Sequence, residues 1–140
     1  MSVNVSVSEA IGSAVPFAEL LGIEVTKREK GSARVELSLR PELLNSWNAA
    51  HGGVVMTLAD VALAVAARTM DSSANGAITV AMSLTFIGAG QDRLVADARC
   101  LRYGTSLAFC EGEIRDVKGA LVAKAMGTFK MRRGKASPEP

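Results

Sequence analysis

The chain has 140 residues, of which 49% are hydrophobic and 21% are charged, and its formal net charge is +2. This composition is typical of one globular domain, so we expect a single domain over residues 1–140 with an ordered core over about residues 16–131. The small charge argues against nucleic acid as a partner, and the N-terminus lacks the charged segment of a secretory signal. Cys100 and Cys110 lack metal-ligand spacing, so we expect two buried thiols in a cytoplasmic protein without a metal site.

The first third of the chain predicts one short helix and two strands. Residues 1–15 show no clear period, and we expect a loose lead-in there. Proline at the start and glycine after the end predict a helix over Pro16–Leu21. Strands are predicted over Gly22–Glu29 and Ser32–Leu39, and apolar and polar residues alternate along the second of them.

The most informative stretch is a long apolar helix and the loop that precedes it. Between Val54 and Ala67 the only polar residues are Thr57 and Asp60. A helix that is apolar on nearly every side should be buried, but this one is too short to span a membrane. The segment His51–Gly53, which contains the only histidine, opens this stretch. A carboxylate in a buried helix is costly unless the protein uses it, so we expect the chemistry here.

The second half of the chain predicts almost only strands. A turn cluster over Asp71–Gly76 precedes them, and the tail Met131–Pro140 is expected to be frayed. The predicted strands are Ile78–Phe86, Leu94–Arg102, Leu107–Asp116 and Leu121–Lys130. Strands joined by tight turns are antiparallel, which predicts an α+β domain with a curved antiparallel sheet wrapped around one central helix. A second copy is expected to cover the rest of the helix.

Three residue groups together resemble the hot-dog fold thioesterases, in particular the PaaI-type acyl-CoA thioesterases of phenylacetate pathways. They are Asn45, the segment His51–Gly53 and Asp60. The resemblance continues through three further segments and covers about residues 16–130. These segments are Ile78–Phe86, Tyr103–Phe109 and Gly119–Lys130. Two departures are Ile87–Gly90, where the family often has a proline-containing turn, and Thr79, where relatives have a serine.

The resemblance implies a role for each residue of this motif. Hydrolysis of a thioester passes through an oxyanion, and helix N-termini offer unpaired N–H donors, so Gly52 is expected to bind that oxygen. Asn45 would add a donor or position water, and His51 would orient the loop or the leaving thiolate. Asp60 would act as general base or as nucleophile, with Thr79 beside it, and the sequence does not decide between the two mechanisms. Asn45 as a loop cap and Thr79 as an ordinary strand residue stay open.

The spacing of the motif predicts a site shared between subunits. His51 and Asp60 are nine residues apart, so along one helix they lie about 14 Å apart on opposite sides. They cannot act on one carbonyl within a single chain. We therefore expect a homodimer with two shared sites, in which Asn45, His51 and Gly52 come from one subunit and Asp60 and Thr79 from the other. Dimers of this family often pair further into tetramers.

The same resemblance indicates where coenzyme A would bind and which substrates to expect. The implied contacts are Gly53, Phe86, Arg102, Gly104, Thr105, Ser106 and Lys130. The expected substrate is an acyl-CoA, with an aryl or arylacetyl group first and a medium-chain acyl group second. No metal or prosthetic group and no membrane are implied, because coenzyme A is part of the substrate. The alternatives are a hot-dog hydratase or dehydratase and a non-catalytic acyl-CoA-binding module.

Overall fold

The computed structural model describes residues 2–134, with side chains described from residue 4 onward. Within these residues, three helices and seven strands follow one another. The helices are α1 (Val7–Ile11), α2 (Pro16–Leu21) and α3 (Gly52–Arg68), with a 3₁₀ turn at Pro41–Leu43. The strands are β1 (Ser2–Ser6), β2 (Glu24–Glu29), β3 (Ser32–Ser38), β4 (Ala74–Phe86), β5 (Arg93–Tyr103), β6 (Leu107–Asp116) and β7 (Leu121–Arg133).

The seven strands form one sheet in the order β1-β2-β3-β5-β6-β7-β4, and every neighbouring pair is antiparallel. The central helix α3 packs against β3, β4, β5, β6 and β7. A helix in contact with so many strands requires a sheet that curves around it. This confirms the predicted α+β architecture of a curved antiparallel sheet around one helix.

The contact between α3 and the sheet depends on two glycines that face the helix. A Cβ on Gly112 would lie 2.8 Å from the carbonyl oxygen of Asp97 and 3.2 Å from Cδ2 of Leu63. A Cβ on Gly127 would lie 3.0 Å from Cδ1 of Leu63. A side chain at Gly112 would meet the Asp97 backbone, and one at Gly127 would push against Leu63 of α3, which lies against β6 and β7 at this point. These glycines set how closely the helix approaches the sheet.

One side of α3 stays open in the single chain. Ten of its residues are buried, namely Val54, Val55, Leu58, Ala59, Val61, Ala62, Leu63, Val65, Ala66 and Ala67. Along the other side, Met56 is 44% exposed and Asp60 is only partly buried. The chain's own sheet covers only the opposite side of the helix, so covering this stripe with a second copy stays a prediction. No helix in the described part of the chain is both long enough and apolar enough to cross a membrane.

A β-bulge in β4 interrupts the regular alternation of side chains along that strand. The pairing with β7 shifts between Thr79 and Ala81, so that Val80 is an extra residue. Thr79 pairs with the buried Phe129 and shares its side of the sheet, which faces α3. Without a bulge, Thr79 and Phe86 would lie on opposite sides of the strand, but beyond the bulge Phe86 also turns toward the helix side. The extra residue therefore puts two predicted site residues on one side of the strand.

The ends of the described chain also differ from expectation. The prediction of a loose lead-in over residues 1–15 is wrong, because β1 and α1 lie there. The Ser6 side chain accepts a hydrogen bond from the Glu9 N–H at the start of α1. The turn after α3 is shorter than predicted, because β4 already begins at Ala74. The predicted frayed tail is wrong for its first residues, which pair with β4 up to Arg133. Its remainder, residues 135–140, lies outside the described residues.

Candidate functional site

The N-terminus of α3 is capped by His51. Its backbone is extended, with φ −61° and ψ 140°, and its Nδ1 accepts a hydrogen bond of 2.9 Å from the Gly53 N–H. An imidazole that accepts through Nδ1 carries its proton on Nε2 when neutral, so the exposed end of the ring is a donor. A Cβ on Gly53 would lie 3.2 Å from this Nδ1. Glycine at position 53 therefore keeps room for the cap.

The backbone N–H of Gly52 is free at the same helix end. Among the hydrogen bonds of the described residues, none uses this N–H. The Phe86 ring lies 3.5 Å from the point where a Cβ on Gly52 would stand. An unpaired N–H at the positive end of a helix, beside an aromatic ring, is suited to bind a carbonyl oxygen of an apolar acyl group.

Asn45 closes the loop that leads into α3. Its Oδ1 accepts hydrogen bonds from the N–H groups of Trp47 at 2.8 Å and Ala49 at 3.1 Å. This is the loop-cap role that the sequence left open. It also directs the Nδ2 donor away from the loop, and the described residues offer it no acceptor. The Trp47 side chain beside it is 83% exposed and does not pack into the core.

A carboxylate and a hydroxyl meet halfway along the open side of α3. The Thr79 hydroxyl donates a hydrogen bond of 2.6 Å to Oδ1 of Asp60. The bulge at Val80 makes this contact possible, because it turns Thr79 toward the helix. The bond fixes one oxygen of the carboxylate and leaves Oδ2 without a protein donor among the described residues. This carboxylate–hydroxyl pair is thus oriented and open to a substrate or to water.

A second polar group lies beyond the C-terminal end of α3. Oδ2 of Asp71 accepts from the Tyr103 hydroxyl at 2.8 Å and from Nε of Arg133 at 2.7 Å. Nη2 of Arg133 donates to the Tyr103 hydroxyl at 2.7 Å, and Nη1 donates to the Thr105 carbonyl at 3.1 Å. Hydrogen bonds from the Ser73 hydroxyl, and after it from Arg133, hold the pKa of Asp71 well below its usual range. Burial and the bond to Asp71 raise the pKa of Tyr103.

This C-terminal cluster of Asp71, Tyr103 and Arg133 holds the turn between β5 and β6. The Met131 N–H adds a bond of 2.9 Å to the Ser106 carbonyl. Asp71 was predicted only as part of a turn, and Arg133 only as part of a frayed tail. The cluster can be recognised only in the tertiary structure, because about 30 positions separate Asp71 from Tyr103 and Tyr103 from Arg133. The predicted coenzyme A contacts Gly104, Thr105 and Ser106 belong to this turn.

The predicted site residues therefore form three groups rather than one. The N-terminal cluster consists of Asn45, His51, Gly52, Gly53 and Phe86. The carboxylate–hydroxyl pair follows midway, and the turn with its C-terminal cluster lies at the far end of α3, whose 17 residues correspond to about 25 Å. Arg102 and Lys130 are exposed near this turn without an ion pair among the described residues. One chain does not bring the three groups together.

The comparisons with known proteins give this arrangement a family. The model of the thioesterase superfamily matches residues 48–123, more than half of the chain. The chain belongs to the thioesterase superfamily. The matched segment includes all of α3 and runs from the N-terminal cluster into β7. This thioesterase is accordingly a hydrolase that acts on thioesters.

Individual relatives agree with the superfamily match. A protein of Archaeoglobus fulgidus named as an esterase is 33% identical over 112 residues, which are 79% of this thioesterase and 71% of that protein. The acyl-coenzyme A thioesterase PaaI of Escherichia coli is 30% identical over 112 residues, 79% of this chain and 78% of that one. The solved structure of the PaaI protein from the phenylacetic acid degradation operon of E. coli superposes with a TM-score of 0.82 at 25% identity, and covers 93% of this chain and 94% of that one. The fold is the hot-dog fold, and the thioesterase is of PaaI type.

Proposed function

We propose that this thioesterase hydrolyses acyl-CoA to a free acid and coenzyme A, at sites that two copies of the chain build together. The observation that supports the proposal most is the distance between the Gly52 N–H and the Asp60 carboxylate. An unpaired N–H at the start of α3 and an oriented carboxylate halfway along it are both open, yet eight residues of helix hold Gly52 and Asp60 about 12 Å apart. A single carbonyl spans far less, so a complete site needs a second copy.

The edge of the sheet supports the same conclusion. β4 is an edge strand of 13 residues, and the sequence Ala74–Phe86 contains no proline and no charged residue. Free edges of this length are normally protected by charges, prolines or a covering element, because they pair readily with another strand. We infer that β4 pairs with β4 of a second copy about a two-fold axis. The two α3 helices would then run antiparallel, with each N-terminal cluster directed toward the middle and the far end of the partner's helix.

In such a dimer each group would have one task. The Gly52 N–H, with the Nδ2 of Asn45, would bind the oxyanion that forms at the thioester carbonyl. Asp60 of the other copy would deprotonate the attacking water, or attack the carbonyl itself to give a mixed anhydride that water then opens. The Thr79 hydroxyl holds that carboxylate in place in either mechanism. The Nε2–H of His51 would orient the loop or assist the leaving thiolate.

Coenzyme A would extend from this centre along the turn between β5 and β6. Thr105 and Ser106 are exposed and Gly104 is partly exposed, and Arg102 and Lys130, which form no ion pair with the described residues, offer positive charge for phosphates. The Phe86 ring beside Gly52 supports an aryl or arylacetyl group as the first choice of acyl group and a medium-chain acyl group as the second. A cytoplasmic location, the absence of a metal or prosthetic group and a pairing of dimers into tetramers complete the proposal.

Mixed dimers test the shared site directly. Asp60→Ala and His51→Ala should each lower the kcat for acyl-CoA hydrolysis by about 10²-fold or more. When the two variants are mixed and allowed to exchange subunits, half of the dimers combine one of each. Each such dimer contains one intact site if the site is shared, so about a quarter of wild-type activity should return. A mixture as inactive as its parts, despite demonstrated exchange, would show that each chain works alone.

A substrate panel tests the reaction itself. Release of free thiol from aryl-, arylacetyl- and medium-chain acyl-CoA is followed with a thiol reagent, for the wild type and for Asp60→Asn. We expect release by the wild type and a drop of at least about 10²-fold in the variant. Binding of acyl-CoA without thiol release would instead indicate the non-catalytic binding module. Loss of an enoyl or hydroxyacyl substrate with the thioester intact would indicate the hydratase or dehydratase.

A further inference from the structure

Two cysteines that the proposed reaction does not use face one another across neighbouring strands. Cys100 on β5 is the direct partner of Cys110 on β6. Both are free thiols, Cys110 belongs to the core, and Cys100 packs against that core from its edge. The pair therefore lies on the helix side of the sheet, a few residues before the turn that the C-terminal cluster holds.

The hydrogen bonds of β5 show which kind of pair this is. The Cys100 N–H donates a bond of 2.8 Å to the Gly31 carbonyl, on the side of β5 away from β6. In an antiparallel sheet a residue directs its N–H and C=O to the same neighbour, so Cys100 and Cys110 form a non-hydrogen-bonded pair. Such pairs have Cα atoms about 4.5 Å apart and the closest side chains of the ladder. That separation falls within the range of about 4.4–6.8 Å found across disulfides.

The two thiols differ in access. Cys110 is 0% exposed, whereas Cys100 is partly exposed and donates a bond of 3.4 Å to the Arg102 carbonyl. Burial raises the pKa of the Cys110 thiol, and the neighbouring Cys100 raises it further. The thiolate is the reactive form of cysteine, so Cys100 is the thiol that an external reagent meets first and Cys110 is the one that reacts second.

We propose that Cys100 and Cys110 form a dithiol site that reacts with a low-molecular-weight disulfide, such as oxidised glutathione, and closes into an intrachain disulfide. The Cys100 thiolate attacks one glutathione sulfur, a bond forms between the two sulfurs, and the other glutathione leaves as a thiol after taking up a proton. Cys110 then attacks the Cys100 sulfur, and its proton passes to the glutathione thiolate that leaves, which releases the second glutathione as a thiol. Two protein thiols are oxidised, and one glutathione disulfide is reduced to two thiols.

The test uses the folded chain of 140 residues incubated with oxidised glutathione. After the reaction the protein is denatured, alkylated with iodoacetamide without reductant, and analysed by intact and peptide mass spectrometry. We expect the loss of two hydrogens, no alkylation, and a linked peptide that joins Cys100 to Cys110. Two alkylated cysteines, a stable glutathione adduct on Cys100 alone, or a link between two chains would each overturn the proposal.

Two variants check the order of the steps. Cys110→Ala removes the second thiol and should accumulate the glutathione adduct on Cys100. Cys100→Ser leaves only the buried thiol, which should remain unmodified for at least about tenfold longer than Cys100 in the first variant. An equal rate of modification at Cys110 would show that access does not run through Cys100. The wild-type experiment tests the disulfide without either variant, so the proposal can be tested even if a variant fails to fold.

Discussion

The two ends of α3 are built in opposite ways. At the N-terminal end the Gly52 N–H has no partner among the described residues, and the His51 ring and Trp47 are exposed. At the C-terminal end Asp71 and Arg133 use their side chains in a closed set of hydrogen bonds. At the N-terminal end polar groups stay free to meet a ligand, whereas at the C-terminal end the side chains of Asp71, Tyr103 and Arg133 bind one another within the chain.

This difference indicates that the two ends of α3 have different functions. Free donors at a helix N-terminus are useful only if the backbone that presents them does not move, and the Asn45 and His51 caps hold that backbone. The C-terminal cluster instead fixes a surface turn whose own backbone is the predicted ligand contact. Substitutions at either end of α3, or at its contact with the sheet, test whether the two ends have these different functions.

Among variants at the two ends of α3, the largest effect is expected from removing the free Gly52 N–H. Gly52→Pro deletes this donor but suits the first position of a helix, and the extended backbone of His51 is the conformation that precedes proline. We expect kcat for acyl-CoA hydrolysis to fall by about 10²-fold with little change in the melting temperature. Gly52→Ala is the matched control, because it keeps the N–H and its Cβ would stand at an ordinary 3.5 Å from Phe86. If both variants lose activity equally, the N–H has no special role.

The next effect concerns the close contact between α3 and the sheet at Gly112 and Leu63. Gly112→Ala places a Cβ 2.8 Å from the Asp97 carbonyl oxygen and should lower the free energy of unfolding by about 2 kcal/mol. Denaturant unfolding measures this change. Gly76→Ala on β4 is the control, since its Cβ would have no neighbour closer than 3.8 Å, and we expect a change within about 0.5 kcal/mol. Equal effects of the two substitutions would contradict close packing at Leu63.

A smaller effect is expected at the other end of the helix. Arg133→Gln removes the bonds to Asp71 and to the Thr105 carbonyl, so the turn should lose its fixed shape. We expect KM for acyl-CoA to rise about fivefold with kcat within about twofold, and no change with an acyl-pantetheine that lacks the nucleotide. Arg34→Gln, which breaks a bidentate pair with Asp97 elsewhere on the sheet, should change neither constant. If KM rises for both substrates, the turn does not act through the nucleotide of coenzyme A.

The smallest effect concerns acid stability. Because the folded protein holds the pKa of Asp71 below its ordinary value of 3.8, the ionised form stabilises the fold. This stabilisation is complete above the ordinary pKa and is lost as pH falls below it toward the lower pKa of the folded state. Asp71→Asn should therefore melt a few degrees below the wild type at pH 7, and the difference should shrink as pH falls below about 4. A difference that is constant down to pH 2 would contradict the assignment.

Much of the fold followed from local patterns. The alternation in β3 and the continuous apolar run of α3 depend on the periods of strand and helix, and those periods are properties of neighbouring residues. The motif of Asn45, His51–Gly53 and Asp60, through its resemblance to a family, located two of the three groups. The roles assigned to those residues in catalysis, and the dimer that would unite them, remain predictions.

The tertiary structure decided what depends on residues far apart in the sequence. The bulge at Val80, which turns Thr79 toward Asp60, follows from the pairing of β4 with β7, and no pattern within β4 marks it. The cluster of Asp71, Tyr103 and Arg133 exists because β5 and β7 end beside the turn after α3. Local periodicity determines which elements form, and the register between distant strands determines which side chains meet.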